Sequence, residues 1–474
     1  MSENLEAKVP AQPASYAEIP SEAPVFDSDY ALNSSFVRSV IDALDSGDDD
    51  RVQRLVMPLH AADLADLLGL VRAIERRNLL EMIGTELNLD VLSELDEDVL
   101  TDVLKQLEPP VIASALQAMD SDDAVQLIEG LTEEEREAVL KLVPRIDRAA
   151  VEQLLAYEED CAGRLMQREM VTVPPYWSVG QTIDHMRATK GLPEQFFEIY
   201  IVDESFHPIG SVPLSRLMQA KREVTVRELM DTEQTLIPAI MDQGEAAYLF
   251  NQYHLLSAAV TDDAGRLVGM ITVDDIVEVI TEEDTEDILY LGGVKQEGLS
   301  DGVFKTTQRR FSWLLINLVT AILASVVIAL FDATIEKFIA LAILMPIVAS
   351  MGGNAGTQTL TVAVRAIATR DLTPSNAVRI IFREVMVGGL NGIMFAILMG
   401  AVGAIWFQSP ILGVILAGAM IANLLCAGAA GILVPLGLQR AGMDPAIGST
   451  VFVTTATDLV GFFVFLGLGA LALS

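Results

Sequence analysis

Cysteine and basic residues are scarce in this sequence. Its two cysteines, Cys161 and Cys426, lie far apart, so neither a disulfide nor a cysteine metal cluster is expected. Lys and Arg together number 31 against 66 Asp and Glu, which gives a formal net charge of −35 over 474 residues. A chain this acidic repels phosphate backbones and attracts cations, so nucleic acid is not expected as a partner.

Motifs of catalysis and secretion are missing too. There is no P-loop and no nucleophile–base motif, so we do not expect an enzyme. The N-terminus lacks a charged segment followed by an apolar run, so we expect no signal peptide. All four histidines precede residue 303, which leaves carboxylate, hydroxyl, amide and backbone oxygens as the possible ligands after it. These are hard ligands, suited to Mg²⁺, Ca²⁺ or Mn²⁺ rather than Zn²⁺ or Cu⁺.

Charge and hydropathy divide the chain into two halves. Residues 303–474 hold nine Lys and Arg and six Asp and Glu, a net charge of +3, so residues 1–302 carry −38. The second half contains five apolar runs, and each is long enough to cross a bilayer, which takes about 20 residues. We therefore predict five transmembrane helices, at residues 312–331, 338–364, 385–407, 411–438 and 446–473.

Charged residues between these runs predict the orientation, because basic loops stay on the cytoplasmic side. All three basic segments then lie on one side of the plasma (inner) membrane. The acidic N-terminal half is expected in the cytoplasm and the C-terminus outside. The basic residues are Lys305, Arg309 and Arg310 before the first run, Arg365, Arg370, Arg379 and Arg383 after the second, and Arg440 before the fifth.

One acid stands in the middle of the last apolar run. Asp458 has no basic neighbour in that run, and a carboxylate at the centre of a membrane helix costs about 2.5–3.5 kcal/mol. Thr450, Thr454 and Asp458 are spaced by four residues, so they share one helix face. A neutral Asp458 hydrogen-bonded to a neighbouring helix would explain its presence, but buried acids of membrane spans more often mark an ion pathway.

The second apolar run also carries a polar pattern. Gly352 and Gly356 are four residues apart, and so are Asn354 and Gln358, so each pair shares a helix face. Small residues let another backbone approach closely, and amides in a membrane need partners. Two interpretations stay open: a helix-packing interface joined by amides, or the polar wall of a cavity.

The cytoplasmic half contains two kinds of repeat. Residues 33–160 repeat short helical phrases, which predict an α-solenoid: "LHAADLADLL" (59–68), "LDEDVLTDVL" (95–104) and "MDSDDAVQLI" (119–128). Residues 161–283 repeat a pattern of strand, turn, strand and helix, typical of a paired regulatory module: "VDESFHPIGSVPLSRLM" (202–218) and "TDDAGRLVGMITVDDIV" (261–277). The polar, Pro- and Ala-rich residues 1–32 are expected to be disordered.

Three segments together resemble the MgtE-type family of magnesium channels and transporters. They are "ITVDDIVEVITEEDTEDILYLGGV" (271–294), "MPIVASMGGNAGTQTLTVAVRAIA" (345–368) and "AGMDPAIGSTVFVTTATDLVG" (441–461). The resemblance runs from about residue 33 to the end. It implies a multidomain membrane protein with an all-α N-terminal domain (33–160), an α/β tandem CBS pair (161–283), a connecting plug helix (284–311) and an all-α five-helix transmembrane domain (312–474).

The resemblance also implies a mechanism. In a homodimer, the second and fifth spans would line a central pore, with Asn354, Gln358 and Thr450 on its wall. Asp458 of both protomers, near Thr454, would hold a hydrated Mg²⁺. The cytosolic domains would sense Mg²⁺: ions bridging their acids would close the pore, and repulsion without ions would favour opening. The sensor acids would be Asp90, Asp122, Asp275, Glu278, Glu283, Glu286 and Asp287.

Three positions depart from the family pattern. Thr450-Val451 stands where an Asn/Gly-Pro pair is expected near the pore mouth, and the other two positions lie in the cytoplasmic half. His254 stands where an Asp is expected, and Arg164 stands where a small residue is expected, so one bridging ion should bind more weakly. ATP is a further candidate ligand, at the CBS pair. Other readings remain open: a transporter of another hard divalent cation such as Co²⁺, Mn²⁺ or Ca²⁺, an ion-coupled exchanger, or a membrane-anchored CBS sensor without transport.

Overall fold

The computed structural model describes residues 24–84, 87–189, 192–193, 195–294 and 303–473. The chain forms two compact units, Met1–Ile280 and Thr281–Ser474. The predicted fold class is confirmed: an all-α domain precedes an α/β pair, and five long apolar helices follow. Of the segment expected to be disordered, residues 1–23 lie outside the described residues. Residues 24–32 form a turn in which Val25 is buried and Phe26 pairs with Leu32.

The first unit begins with the helical domain. Short helices form because capping residues recur at close intervals: Asn33 accepts a hydrogen bond from the amide of Ser35, and Thr132 forms a capping box with Glu135. Their apolar faces meet in one core. The helices are α1 Ser34–Ser46, α2 Asp49–Val56, α3 Ala61–Leu70, α4 Ala73–Ile83, a 3-10 helix Leu89–Leu92, α5 Glu97–Leu104, α6 Pro109–Ala118, α7 Ser121–Glu129, α8 Glu133–Leu140 and α9 Arg145–Leu154.

The α/β pair follows in the same unit. The sheets β1–β2–β3 and β4–β5–β6 each combine one parallel and one antiparallel pairing. The elements are α10 Ala162–Leu165, β1 Thr172–Val173, α11 Val179–Ala188, β2 Glu198–Val202, β3 Pro208–Pro213, α12 Leu214–Gln219, α13 Val226–Leu229, β4 Leu236–Pro238, α14 Gln243–Tyr253, β5 Ser257–Thr261, β6 Leu267–Thr272 and α15 Val273–Leu291.

The sequence repeat has a direct structural cause. Asp203 and Asp262 occupy equivalent turns, and each carboxylate accepts hydrogen bonds from two backbone amides of its own turn. Gly210 and Gly269 occupy equivalent strand positions, where a Cβ atom would lie 2.7 Å from a backbone carbonyl oxygen of an adjacent segment. Each repeat therefore keeps an acid to close its turn and a glycine to admit a neighbouring chain segment.

The stretch predicted as a separate connecting helix is divided between two helices. Helix α15 continues from the second CBS unit to Leu291, and the first membrane helix, α16, begins at Val303. Residues 295–302 lie outside the described residues. Because α15 runs through residue 284 without interruption, the CBS unit and the connector share one helix.

The second unit contains the membrane helices. They are α16 Val303–Ala329, α18 Ile339–Ala368, α19 Ala377–Trp406, α20 Pro410–Arg440 and α21 Ser449–Leu473, with the short α17 Asp332–Lys337 after the first. Helix α20 packs against α18, α19 and α21. The third span begins at residue 377 rather than 385, because its first two turns carry polar residues that hydropathy does not count as membrane-spanning.

Candidate functional site

The second and fifth spans touch through small residues. A Cβ atom on Gly356 of α18 would lie 2.6 Å from Cγ1 of Val453 on α21, and one on Gly353 would lie 3.7 Å from Cγ2 of Thr454. Glycine at the closer position thus lets the two helices approach more closely than larger residues would allow. The two polar stripes expected from the sequence therefore lie on neighbouring helices.

Asp458 is partly exposed on α21 and makes no hydrogen bond or ion pair within the described residues. One turn earlier, the hydroxyl of Thr454 donates to the carbonyl oxygens of Thr450 and Val451, at 2.9 and 3.1 Å. Thr454 can still offer its oxygen lone pairs as an acceptor. The described residues of this chain thus supply no neighbouring group of the kind that a sealed, neutral Asp458 would need.

Asn354 and Gln358 are exposed on α18. Asn354 donates only a long hydrogen bond, of 3.4 Å, to the hydroxyl of Ser350 in its own helix. Among the described residues, these amides do not join α18 to another helix of the chain. An unsatisfied amide in hydrocarbon costs several kcal/mol, so this surface must meet water or a second protein surface.

Thr450 contacts the connector. Its hydroxyl donates a 2.8 Å hydrogen bond to the carbonyl oxygen of Leu291, the last residue of α15. Tyr290 and Leu291 also pack against the apolar cluster at the ends of the second and fifth spans, which consists of Leu360, Val364, Ala446 and Val453. The end of α15 therefore lies against both spans that carry polar stripes.

Trp313 of the first span holds the same connector segment. A Cβ atom on Gly293 would overlap the indole ring, and one on Gly448 would lie 2.6 Å from it. Gly293 has a φ of 73°, a conformation that residues with a side chain rarely adopt. Glycine at position 293, two residues after the end of α15, therefore makes room for the Trp313 ring.

Four carboxyl groups of the first unit converge between α7 and α15. Asp122 and Asp123 lie in the first turn of α7, and Asp275 and Glu278 lie in the first two turns of α15. Thr272 orients Asp275, because its hydroxyl donates a 2.8 Å hydrogen bond to that carboxylate. We call these four residues the sensor cluster, after the role that the resemblance implies for Asp122, Asp275 and Glu278.

Burial and mutual repulsion raise the pKa values of the sensor cluster. Burial, and then the charge of Asp275, raise the pKa of Asp122 well above its usual range and that of Asp123 to about 7. Burial likewise raises the pKa of Asp275 to about 6. Burial, followed by the charges of Glu94 and Asp96, raises the pKa of Glu278. At neutral pH this arrangement therefore favours bound protons or cations.

The membership of the cluster differs in part from the sequence prediction. The structure brings together Asp122, Asp275 and Glu278, three of the acids that the resemblance implies. Asp90 is exposed, and the charges that reach the cluster from that part of the chain are those of Glu94 and Asp96. Asp123 could have been predicted as a cluster member, because it lies beside Asp122 in the "MDSDD" phrase. Nothing in the sequence around Glu94 indicates that it lies near these acids. No group of three Asp, Glu, His or Cys side chains within the described residues is arranged to hold a metal ion.

A second group of acids lies where the connector meets the membrane domain. Burial, and then the charges of Asp444, Glu283, Asp284 and Glu286, raise the pKa of Asp287 to about 6. Asp444 belongs to the loop between the fourth and fifth spans, and its carboxylate accepts a 2.6 Å hydrogen bond from the amide of Ala446. The resemblance implies a role for the three connector acids Glu283, Glu286 and Asp287 but includes no residue of the loop that holds Asp444.

The two residues of the first unit that depart from the family pattern have structural roles. Arg164 forms an ion pair with Glu129 at the C-terminal end of α7, with 3.2 Å between Nε and Oε1. His254 ends α14 in the left-handed conformation, with a φ of 53°. At the N-terminal end of α7, the backbone amide and the hydroxyl of Ser121 donate hydrogen bonds to the carboxylate of Glu169. Contacts that need no metal therefore hold both ends of α7 against the CBS pair.

Family models match most of the chain. One described as a divalent cation transporter matches residues 345–468, the MgtE intracellular N domain matches 59–160, and the CBS domain matches 162–223 and 226–282. The magnesium transporter MgtE of Thermus thermophilus is 33% identical over 442 residues, covering 92% of this chain and 98% of the relative. The MgtE of Bacillus subtilis is 29% identical over 320 residues, 67% of this chain and 71% of the relative.

A solved structure of part of a relative also matches. It is the cytosolic domain of the Mg²⁺ channel MgtE in complex with ATP, and it is 30% identical in sequence. The match covers 51% of this chain and 99% of that one, with a TM-score of 0.48.

Proposed function

The chain belongs to the MgtE family of magnesium transporters, and from this premise we propose that it is a Mg²⁺-gated conduit that imports Mg²⁺ across the plasma membrane as a homodimer. Its N-terminal half would lie in the cytoplasm and its C-terminus outside. The membrane potential would drive import, because each unit charge gains about 2.3 kcal/mol per 100 mV on entering a negative interior.

Asp458 carries the proposal. It is a partly exposed acid without a described hydrogen-bond partner in the middle of an apolar helix. On the neighbouring span, Asn354 and Gln358 expose further oxygen ligands. A second copy facing this surface would place two Asp458 carboxylates beside one water-filled axis. Mg²⁺ keeps several of its waters and binds to one or two carboxylates, which suits such a pair.

The gate in this proposal is the end of α15. Without Mg²⁺, repulsion within the sensor cluster would separate the helical domain from the CBS pair. With Mg²⁺, hydrated ions would neutralise the sensor cluster and the acids around Asp287. Helix α15 carries Asp275 and Glu278 at its start and Leu291 at its end, so one helix connects ion binding with the contact to Thr450. We also propose ATP as a ligand of the CBS pair, supported by the ATP in the matched cytosolic domain.

Transport of another hard divalent cation is the second candidate. The oxygen ligands of Asp458, Thr454 and the two amides also suit Mn²⁺ and Ca²⁺ by their chemistry. A sensor that is only anchored in the membrane has less support, because an anchor gains nothing from an exposed acid in mid-span.

Ion flux into liposomes that contain the purified chain tests the pathway. We expect Mg²⁺ uptake by the wild type, and its loss in Asp458→Asn, with Co²⁺, Mn²⁺ and Ca²⁺ compared in the same assay. Asp332→Asn is the matched control, because Asp332 is exposed in the short helix α17 outside the five spans. Uptake by Asp458→Asn at the wild-type rate would contradict the proposal.

Cross-linking tests the dimer. In a chain without Cys161 and Cys426, Asn354→Cys should form a disulfide between protomers in the membrane. Leu318→Cys on the first span serves as the control. Leu318 is 56% exposed, and the variant should remain monomeric. Equal cross-linking at both positions would argue against a specific pore-lining interface.

A further inference from the structure

Asn423 is a polar residue in the middle of the most buried membrane helix. It is fully buried on α20, where its neighbours Leu424 and Met420 are buried too. Its side-chain Nδ2 donates a 2.7 Å hydrogen bond to the carbonyl oxygen of Val348 on α18. Its Oδ1 is buried and has no hydrogen-bond partner among the described residues. The amide therefore makes one bond between helices and leaves one polar atom unpaired.

Two glycines make room for this amide, one from each span of the proposed pathway. A Cβ atom on Gly352 of α18 would overlap the Asn423 amide. A Cβ atom on Gly461 of α21 would lie 2.8 Å from Nδ2 and 3.2 Å from Oδ1. One side chain of the fourth span thus fills a gap that the second and fifth spans create together.

The bond to Val348 lies next to an interruption in α18. Pro346 has no backbone N–H, so the helix lacks one of its regular hydrogen bonds just before this point. The carbonyl of Val348 would accept from the amide of residue 352 in a regular helix, and Asn423 adds a second donor to it. The amide therefore adds a bond between helices two residues after Pro346, beyond the turn from Ala342 to Pro346 that lacks its regular hydrogen bond.

Packing alone does not account for this asparagine. An unpaired buried amide oxygen is destabilising, whereas an apolar residue of similar size would fill the space without that penalty. Gly352 lies two residues before Asn354, and Gly461 lies three residues after Asp458. A change in the gap around Asn423 would therefore shift both candidate pathway residues.

We propose that Asn423 is a positioning residue for ion transport, whose amide sets the separation and rotation of the second and fifth spans. This inference rests on the proposed function, since it assigns Asn423 to the conduit that Asp458 lines. Asn423 does not touch the ion. It acts through Gly352 and Gly461.

Asn423→Leu tests the proposal because leucine branches at the same carbon as asparagine and still fills the gap, but it cannot donate the hydrogen bond to Val348. We expect thermal stability equal to or above that of the wild type, together with Mg²⁺ uptake reduced about tenfold, the equivalent of about 1.4 kcal/mol in the barrier. We also expect the ratio of Mg²⁺ to Ca²⁺ uptake to change, which a purely structural role would not alter. Met420→Leu, one turn earlier and equally buried, is the control and should transport normally.

A second set of variants keeps the proposal testable if Asn423→Leu does not fold. Gly352→Ala alone should reduce Mg²⁺ uptake, because its methyl group overlaps the amide. Asn423→Ala removes that overlap, so Gly352→Ala combined with Asn423→Ala should transport no worse than Asn423→Ala alone. Additive losses in the double variant would overturn the proposal, as would wild-type uptake and selectivity in Asn423→Leu.

Asp458→Asn in the same assay separates this inference from the proposed function. If the wild type takes up Mg²⁺ and Asp458→Asn does not, while Asn423→Leu is unchanged, only the role of Asn423 is wrong. If the wild type takes up no Mg²⁺, the conduit itself is wrong and the role of Asn423 falls with it.

Discussion

The hydroxyl of Thr450 on the fifth span donates a hydrogen bond to the carbonyl oxygen of Leu291, at the end of the helix that begins in the second CBS unit. A helix leaves its last carbonyl groups without intrahelical partners, and Thr450 satisfies one of them. The contact therefore joins helix α15 to a span that carries the candidate ion-binding acid.

Thr450→Val should weaken this contact while keeping the shape of the side chain. Loss of one hydrogen bond is worth about 1 kcal/mol, so the open fraction at saturating Mg²⁺ should rise roughly fivefold. The open fraction is measured as the residual flux into liposomes at high Mg²⁺ on the cytoplasmic side. Thr455→Val is the control, because the Thr455 hydroxyl donates to Val451 within its own helix. Equal residual flux in both variants would show that Thr450 does not hold the gate.

Gly293→Ala should also favour the open state, and more strongly. The new methyl group would overlap the ring of Trp313, and the backbone would be strained at a φ of 73°. Residual flux at saturating Mg²⁺ should exceed that of Thr450→Val. Gly442→Ala isolates the backbone effect, because Gly442 has a φ of 72° and its added Cβ atom would meet no neighbouring atom of the described residues within 4 Å. Flux in Gly293→Ala no higher than in Gly442→Ala would contradict a role for the Trp313 contact.

Local sequence patterns predicted much of this fold. Hydropathy predicted five spans because each needs only a continuous apolar run. The repeated pattern of strand, turn, strand and helix in residues 161–283 predicted a paired module, and the resemblance implied that this module is a CBS pair. The start of the third span differed because hydrogen bonding, not hydropathy, decides where a helix begins. The connector was harder to place, since an acidic helix carries no boundary signal between residues 273 and 291.

The site could be predicted only where a residue conflicts with its surroundings in the sequence. Asp458 is such a residue, because an acid in an apolar run is visible without a structure. Glu94 and Asp444 look like ordinary surface acids, and only tertiary packing brings them near Glu278 and Asp287. Asn423 offered a signal, a single amide within an apolar run, but its glycine partners lie on two other helices.

The sensor cluster predicts that protons can replace Mg²⁺. In the docked arrangement the pKa of Asp123 is raised to about 7 and that of Asp275 to about 6, above their usual value of 3.8. A raised carboxyl pKa means that docking is stabilised at low pH and loses this contribution as the pH rises through 6 to 7. Without Mg²⁺, limited proteolysis of the connector should therefore be slow at pH 5 and fast at pH 8. Added Mg²⁺ should slow it at pH 8 and change little at pH 5.

Asp123→Asn should reduce this dependence, because it removes one of the repelling charges. Digestion without Mg²⁺ at pH 8 should become slower than in the wild type. Asp50→Asn, an exposed residue of α2, changes the net charge equally and should behave as the wild type does. A Mg²⁺ effect of the same size at pH 5 and pH 8 would exclude the sensor cluster as the responsive group.

The ion pair of Arg164 predicts that the pore closes at a lower Mg²⁺ concentration than it would without this arginine. It pairs with Glu129 at the opposite end of α7 from Asp122, so part of the docking energy needs no metal ion. Arg164→Ala should remove about 1 kcal/mol of this energy and raise the Mg²⁺ concentration that half-closes the pore roughly fivefold. Mg²⁺ titration of both flux and connector proteolysis measures the shift.

Arg148→Ala is the matched control for this shift. Arg148 pairs with Glu152 within α9 at 2.8 Å, and both side chains are more exposed than those of Arg164 and Glu129. Its loss should leave the Mg²⁺ midpoint unchanged, because the pair does not join two domains. If Arg164→Ala lowered the midpoint, the arginine would instead be competing with Mg²⁺ for the acids of this interface. A fixed cation would then oppose closure, and the departure from the family pattern would weaken the sensor rather than bias it.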